Sequence, residues 1–213
     1  MRLQVSFDES RFKAIEQLLD GIPGAFRTVA VSVINRGADH GRTLIKRAIK
    51  EELNLKQSDV LECIKISGAK PDRLGATIAV KRRPVKLIKF GNPTQSAAGV
   101  NVLVRRSHGA EEIPGAFIAT MKSGHRGVFR RMPGKVAPTQ GSYAGRTIKS
   151  GPRAGQPLLR QPIRELYGPT VCGVLAGKDG LRDAITKAIG DMVAKRMEAG
   201  VSRFLADPRS GSD

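Results

Sequence analysis

The chain is 213 residues long and 40% apolar, with 37 Lys or Arg against 19 Asp or Glu and a net charge of +18. That length makes one good-sized domain or two small ones, enough to bury a real core. Its uncharged apolar runs fall far below the ~18–20 residues of a membrane span, and MRLQVSFDESRF at the start is charged where a signal peptide is apolar, so neither a membrane protein nor an exported one is expected.

In chain order, Leu3-Gln-Val5 alternates as a short edge strand does. Asp8 reads as the N-cap of a helix whose stripe is Phe12, Ile15, Leu18 and Leu19 and whose stop is Gly21. The pentapeptide Ile22-Pro-Gly-Ala-Phe26 follows, with Pro23 suited to the first turn of a helix. Phe26, Val29, Val33, Ile34, Leu44, Ile45, Ala48 and Ile49 then recur at helical spacing and predict one long helix from Pro23 to Glu52. Gly37 and Gly41 weaken it by about 1 kcal/mol each, which points to close packing against another backbone or to a bend.

After Leu53-Asn-Leu55 a short helix is expected over Lys56–Glu62. A β-rich middle follows, with strands at Ile64 and Ile66, Ala76–Val80, Val85–Phe90 and Val100–Val104. The same pentapeptide returns at Ile113-Pro-Gly-Ala-Phe117, yet nothing else aligns at that offset, so a duplication is rejected. This copy opens a hairpin: Ala116–Met121 returns as Val128–Met132 across Ser123–Gly127, with Phe117 and Phe129 in its packing. Residues 133–161 are rich in Gly, Pro and basic residues and read as a long loop. Pro162–Tyr167 is expected to form one helical turn. Leu181, Ile185, Ile189, Met192, Val193, Met197, Val201 and Phe204 predict a C-terminal helix, with Asp179 or Asp183 favouring its dipole and the tail ADPRSGSD frayed.

The expected fold class is α+β: an antiparallel β-sheet with a long N-terminal helix and a C-terminal helix packed on it. A single domain over 1–213 is expected, helical over 8–62 and basic and β-rich over 63–132. A Gly/Pro/basic insertion over 133–161 and the C-terminal helix over 177–206 complete it.

The charge is concentrated. Residues 61–165 hold 20 basic and five acidic residues, and between Arg73 and Arg164 the only acids are Glu111 and Glu112. Such a field attracts polyanions, whether nucleic acid or acidic protein. The plainer alternative is a solvated basic face with no partner. Candidate contact residues are Lys81, Arg82, Arg83, Lys86, Lys89, Arg105, Arg106, Lys122, Arg126, Arg130 and Arg131, read as strand ends and turns of one sheet.

Catalytic chemistry finds no foothold. His40, His108 and His125 lack His or Cys partners at metal-ligand spacing, and no metal or cofactor is expected. Glu51-Glu52 and Glu111-Glu112 are adjacent pairs that cannot face each other. No phosphate-cradling Gly loop is present. Cys63 and Cys172 are expected as reduced, buried thiols rather than a disulfide. Aromatic residues are only 4% of the chain, too few for stacked-base readout, so any nucleic-acid contact is nonspecific.

The string IPGAFIATMKSGHRGVFRR, preceded by PVKLIKFG, resembles the prophage minor tail protein Z family, the tail completion proteins of lambda-like phages. Its signature hairpin falls on Ile113, Pro114, Gly115, Ala116, Phe117 and Ile118. Asn35-Arg36 in the long helix and PLLRQPIRELYGPTV, with Tyr167-Gly-Pro169, are similar too. The Gly/Pro-rich stretch 135–156 departs from shorter members. The resemblance implies a virion structural protein, made in the host cytoplasm and placed at the head-proximal end of a tail. It implies a homo-oligomeric ring, sixfold by preference, meeting tail terminator, tail-tube and neck proteins, with nonspecific contact to packaged DNA and no membrane. The alternative function is a nonspecific nucleic-acid-binding protein unconnected with virions.

Overall fold

In the computed structural model, residues 2–5, 25–138, 144–178 and 180–206 are described. The helix expected over Asp8–Gly21, the first pentapeptide's Ile22–Gly24, and Asp179 lie outside them. The chain divides into two compact units, Met1–Pro84 with Pro169–Asp213, and Val85–Gly168.

The first unit is built on α1 (Ala25–Glu52), whose 28 residues make a rod of about 42 Å. Its buried stripe, Ala30, Val33, Ile34, Ala38, Ile45 and Ile49, follows the predicted period. Short α2 (Gln57–Glu62) comes next, after the buried anchors Leu53 and Leu55. Strands β1 (Arg2–Val5), β2 (Ile64–Ser67) and β3 (Ala76–Val80) form an antiparallel sheet in the order β1-β3-β2, with Leu3 and Ile66 both opposite Ile78. Helix α3 (Val171–Gly177) was not legible in the sequence; Thr170 caps it, its Oγ1 accepting from Gly173 N at 2.8 Å.

The long C-terminal helix α4 (Leu181–Ala206) lays Ile185, Ile189, Val193 and Met197 into the core against α1. The helix glycines explain the contact. A Cβ on Gly37 would collide with Val193, and one on Gly41 would stand 2.5 Å from Ile189 Cδ1 and 2.8 Å from Ile78 Cδ1. These two glycines are seats for α4 side chains, and α1 runs through them without interruption. Asn35 ties α1 to the chain after β2: its Oδ1 accepts from Ala69 N at 2.7 Å and its Nδ2 donates to Ala69 O at 3.3 Å.

The second unit holds two more three-stranded antiparallel sheets. One is β4 (Thr94–Gln95), β5 (Gly99–Val102) and β6 (Glu111–Pro114); the other is β7 (Ala116–Thr120), β8 (Arg126–Arg131) and β9 (Ile163–Glu165). The second pentapeptide is the joint between them. Pro114 ends β6, Gly115 turns at φ +69° with its N–H donating to Ala98 O, and Ala116 starts β7.

Two expectations are corrected here. Val85–Phe90 is not a strand but a 3-10 turn at Leu87–Lys89, because its buried residues Val85, Leu87 and Phe90 are spaced two and then three apart, which breaks strict alternation. Pro162–Tyr167 is not a helical turn but contains β9: six residues between prolines are too few to nucleate a helix, and the edge of β8 offers a ladder.

Candidate interaction surface

The basic residues expected on one sheet are distributed over several elements. Lys81, Arg82 and Arg83 follow β3 and lie exposed in the first unit. The others belong to the second unit. Lys86 precedes the 3-10 turn and Lys89 ends it, Arg105 and Arg106 are exposed after β5, Lys122 is exposed in the β7–β8 turn, and Arg126, Arg130 and Arg131 lie exposed along β8. Lys89 and Arg105 are already engaged by other residues.

The hairpin carries most of what the sequence promised. Phe117 stands opposite Phe129, with ring centroids 6.1 Å apart, and Ala116 faces Arg130. The turn closes through Met121 N donating to His125 O at 2.7 Å, with Gly124 at φ +80°. Phe129 is buried, whereas Phe117 is only half-buried and is covered by the Arg131 guanidinium, 5.3 Å from its ring centre. Of the motif residues, Ala116 is buried, Ile113 and Ile118 are half-buried, and Pro114 and Gly115 are exposed.

Lys86 and His125 meet at a carboxylate that sequence reasoning missed. Glu165 Oε1 lies 2.7 Å from His125 Nε2 and 3.6 Å from Lys86 Nζ, while Tyr167 OH donates to Glu165 Oε2 at 2.9 Å. Since a carboxylate only accepts, His125 Nε2 carries a proton, and Lys86, 3.3 Å from that nitrogen, contributes its charge. Gly127 makes the room: a Cβ there would stand 2.8 Å from Glu165 Oε1. Burial raises the Glu165 pKa, but the hydrogen bonds from Tyr167 and His125 and the charges of Lys86 and His125 outweigh it, leaving the carboxyl below its ordinary value. The Tyr167 hydroxyl is raised by its bond to that carboxylate, with burial adding to the effect. A carboxylate so fully occupied by donors is a clamp between β9, the hairpin turn and the chain at Lys86. One signal could have found it: in a segment almost free of acids, a lone Glu beside a Tyr has a structural task.

Among the described residues no group of three or more His, Cys, Asp or Glu could hold a metal ion, and no helix is long and apolar enough to cross a membrane. Cys63 and Cys172 are not joined in a disulfide and are half-buried, less enclosed than expected.

A family model described as "Prophage minor tail protein Z (GPZ)" matches residues 12–161. No curated protein and no solved structure matches the chain. The matched span runs through α1, α2, strands β2 and β3, the β4–β6 sheet and the β7–β8 hairpin, which contains the signature residues Ala116, Phe117 and Ile118. The chain belongs to the prophage minor tail protein Z family and is a structural protein of the phage tail, not an enzyme.

Proposed function

We propose that this protein completes the head-proximal end of the tail, so that the tail joins a filled head and passes its DNA. The whole chain acts there as one tail-completion domain, made in the host bacterial cytoplasm and assembled as a homo-oligomeric ring, sixfold by preference. Its neighbours are tail terminator, tail-tube and neck proteins. The observation that carries this reading is family membership combined with charge: residues 85–168 hold 14 basic and three acidic residues, a net of +11. Arg106, Lys122, Arg126 and Arg130 are exposed on that unit and available to acidic surfaces or to DNA in transit.

The test is an image of purified virions carrying a label at the C-terminus of this chain. Density at the head–tail junction is expected; label at the distal tip or along the tube overturns the placement. The second reading, a nonspecific nucleic-acid-binding protein, draws on the same exposed arginines. It requires the isolated protein to bind free duplex with an affinity that falls steeply with salt. Tight, salt-sensitive duplex binding with no label on virions would replace the tail-end reading.

A further inference from the structure

The ladder of β8 and β9 does not stop where the two strands stop. Met132 N donates to Pro162 O at 2.8 Å, and Val136 and Arg160 exchange both backbone hydrogen bonds at 2.9 Å. Farther along, Leu158 N donates to Arg146 O and Ile148 N to Gln156 O, each at 2.9 Å. The described part of the Gly/Pro-rich stretch is therefore a hydrogen-bonded arm continuing the β8–β9 pair, with β9 on the edge of its sheet. Its surface is unusual in two ways. The exposed large apolar side chains among the described residues are Val136, Leu159, Ile163 and Tyr167, 53, 51, 43 and 49% accessible, and all four lie on this arm or directly after it. The sequence from Ile113 to Arg164 also contains ten basic residues and no acid.

The strand register sharpens the second point. Arg130 stands directly opposite Arg164, on the sheet face away from Ile163 and Glu165. Like charges at facing positions repel, and neither arginine makes an ion pair with another described residue. The pair favours a site that an external anion neutralises.

We propose that this arm docks an acidic protein segment by strand addition at the open edge of β9, with Leu159 and Ile163 as apolar anchors and, on the sheet face away from Ile163, Arg130 and Arg164 pairing with carboxylates of the added strand's alternate side chains. A phosphate backbone supplies charge but leaves Leu159 and Ile163 in water, so it uses only half of the surface. A second copy of this chain is a poor occupant of the arm, because both units are net positive, +11 for residues 85–168 and +7 for the rest, so the subunit contacts of the proposed ring lie away from it. The inference gives the tail-end reading a partner of defined chemistry and rests on that reading only for the partner's place in the virion.

The experiment is site-specific photo-crosslinking. Leu159 is replaced by p-benzoylphenylalanine in the full chain, expressed from an induced lysogen, and irradiated virions are digested and sequenced by mass spectrometry. The expected product joins residue 159 to a carboxylate-rich peptide of a different virion protein. Arg130→Gln with Arg164→Gln should lower its yield by about tenfold or more, and Ile163→Ser should lower it while circular dichroism stays unchanged. Crosslinks to nucleotides, to this same chain, or to nothing overturn the proposal. A crosslink to an acidic protein at the distal end of the tail keeps the arm's role and overturns the head-proximal placement, so the two failures are distinguishable.

Discussion

The two units of the chain spend their residues differently. The first has 129 residues and a net charge of +7, and 21 of its described apolar residues are buried; the second has 84 residues, +11, and only eight. In the first, long side chains from α1 and α4 close on each other, and 16 acids offset most of 23 bases. In the second, Val85, Leu87, Phe90, Val100, Val102, Ala116, Val128 and Phe129 make a small core beneath a surface crowded with cations. A small core beneath strong self-repulsion is stabilised when a partner of opposite charge is present. On the proposed reading, stability and recognition are separated along the chain, with the helical unit as scaffold and the central unit as contact surface.

The largest expected effect bears on that division of labour. Reversing Arg106, Arg126 and Arg130 to Glu leaves these exposed positions outside any core or cap, so stability should move by less than about 0.5 kcal/mol. Assembly should instead lose several kcal/mol at each facing acidic surface, which lowers infectious titre by about a thousandfold or more. Unjoined tails beside full heads would identify protein–protein contacts, and joined particles retaining DNA would identify the channel. Normal titres would reduce the surface to a solvated face and leave the comparison without a functional side.

Core truncations come next. Ile45→Ala in α1 should cost about 2–5 kcal/mol and Phe90→Ala in the central unit about 3–5 kcal/mol, both sites being fully buried. Hydrogen exchange read along the chain distinguishes the units: Phe90→Ala should speed exchange over 85–168 and leave α1 and α4 protected. Uniform loss of protection would mean that the two units unfold as one cooperative body.

The helical unit was largely legible in the sequence because its signals are local. A 3.6-residue period over α1 and α4 names the buried faces, and the glycines at 37 and 41 mark where α4 side chains seat. The hairpin was legible for the same reason, since a Gly-punctuated turn and two apolar runs suffice. What was not legible depends on partners far away in sequence. Val85–Phe90 has a strand's composition but obtains its backbone bonds from Leu166 and at the Lys86–Tyr167 bridge, so it curls into a turn. Strand β9 exists because β8 has an edge to offer, and Glu165 gains its meaning only when His125, 40 residues earlier, is folded onto it.

A smaller effect is expected at Phe117. The ring is half-buried beneath Arg131 and beside Phe129, so Phe117→Ala should cost about 1–2 kcal/mol, less than Phe90→Ala, even though both lie in the same unit. A loss as large as that of Phe90→Ala, measured by chemical denaturation, would show that the hairpin face is a true core. The contrast between a small interior and a broad contact surface would then weaken.

The smallest effect is a pH dependence, and it isolates Glu165, the half-buried anionic anchor of the cationic unit. Glu165 has a folded pKa below its unfolded value of about 4.3. Its contribution to stability is therefore complete above that value and is lost as pH falls through the folded one. Tyr167 has the opposite sense: its hydroxyl is raised, so its contribution holds below about 10 and fades as pH climbs past the folded value. The groups facing the carboxylate are Tyr167, His125 and Lys86, all donors or cations, so protonating Glu165 removes the only negative charge among them. Comparing melting temperatures of the parent and Glu165→Gln between pH 6 and pH 3 removes the background of other carboxylates. The parent should be the more stable above about pH 5, and the gap should close as the pH falls below the ordinary Glu value of about 4.3. Tyr167→Phe, which deletes one donor, should narrow the gap and move its closing point upward. A constant gap across the range would show that Glu165 acts by shape alone, and that the central unit's order owes nothing to this charge.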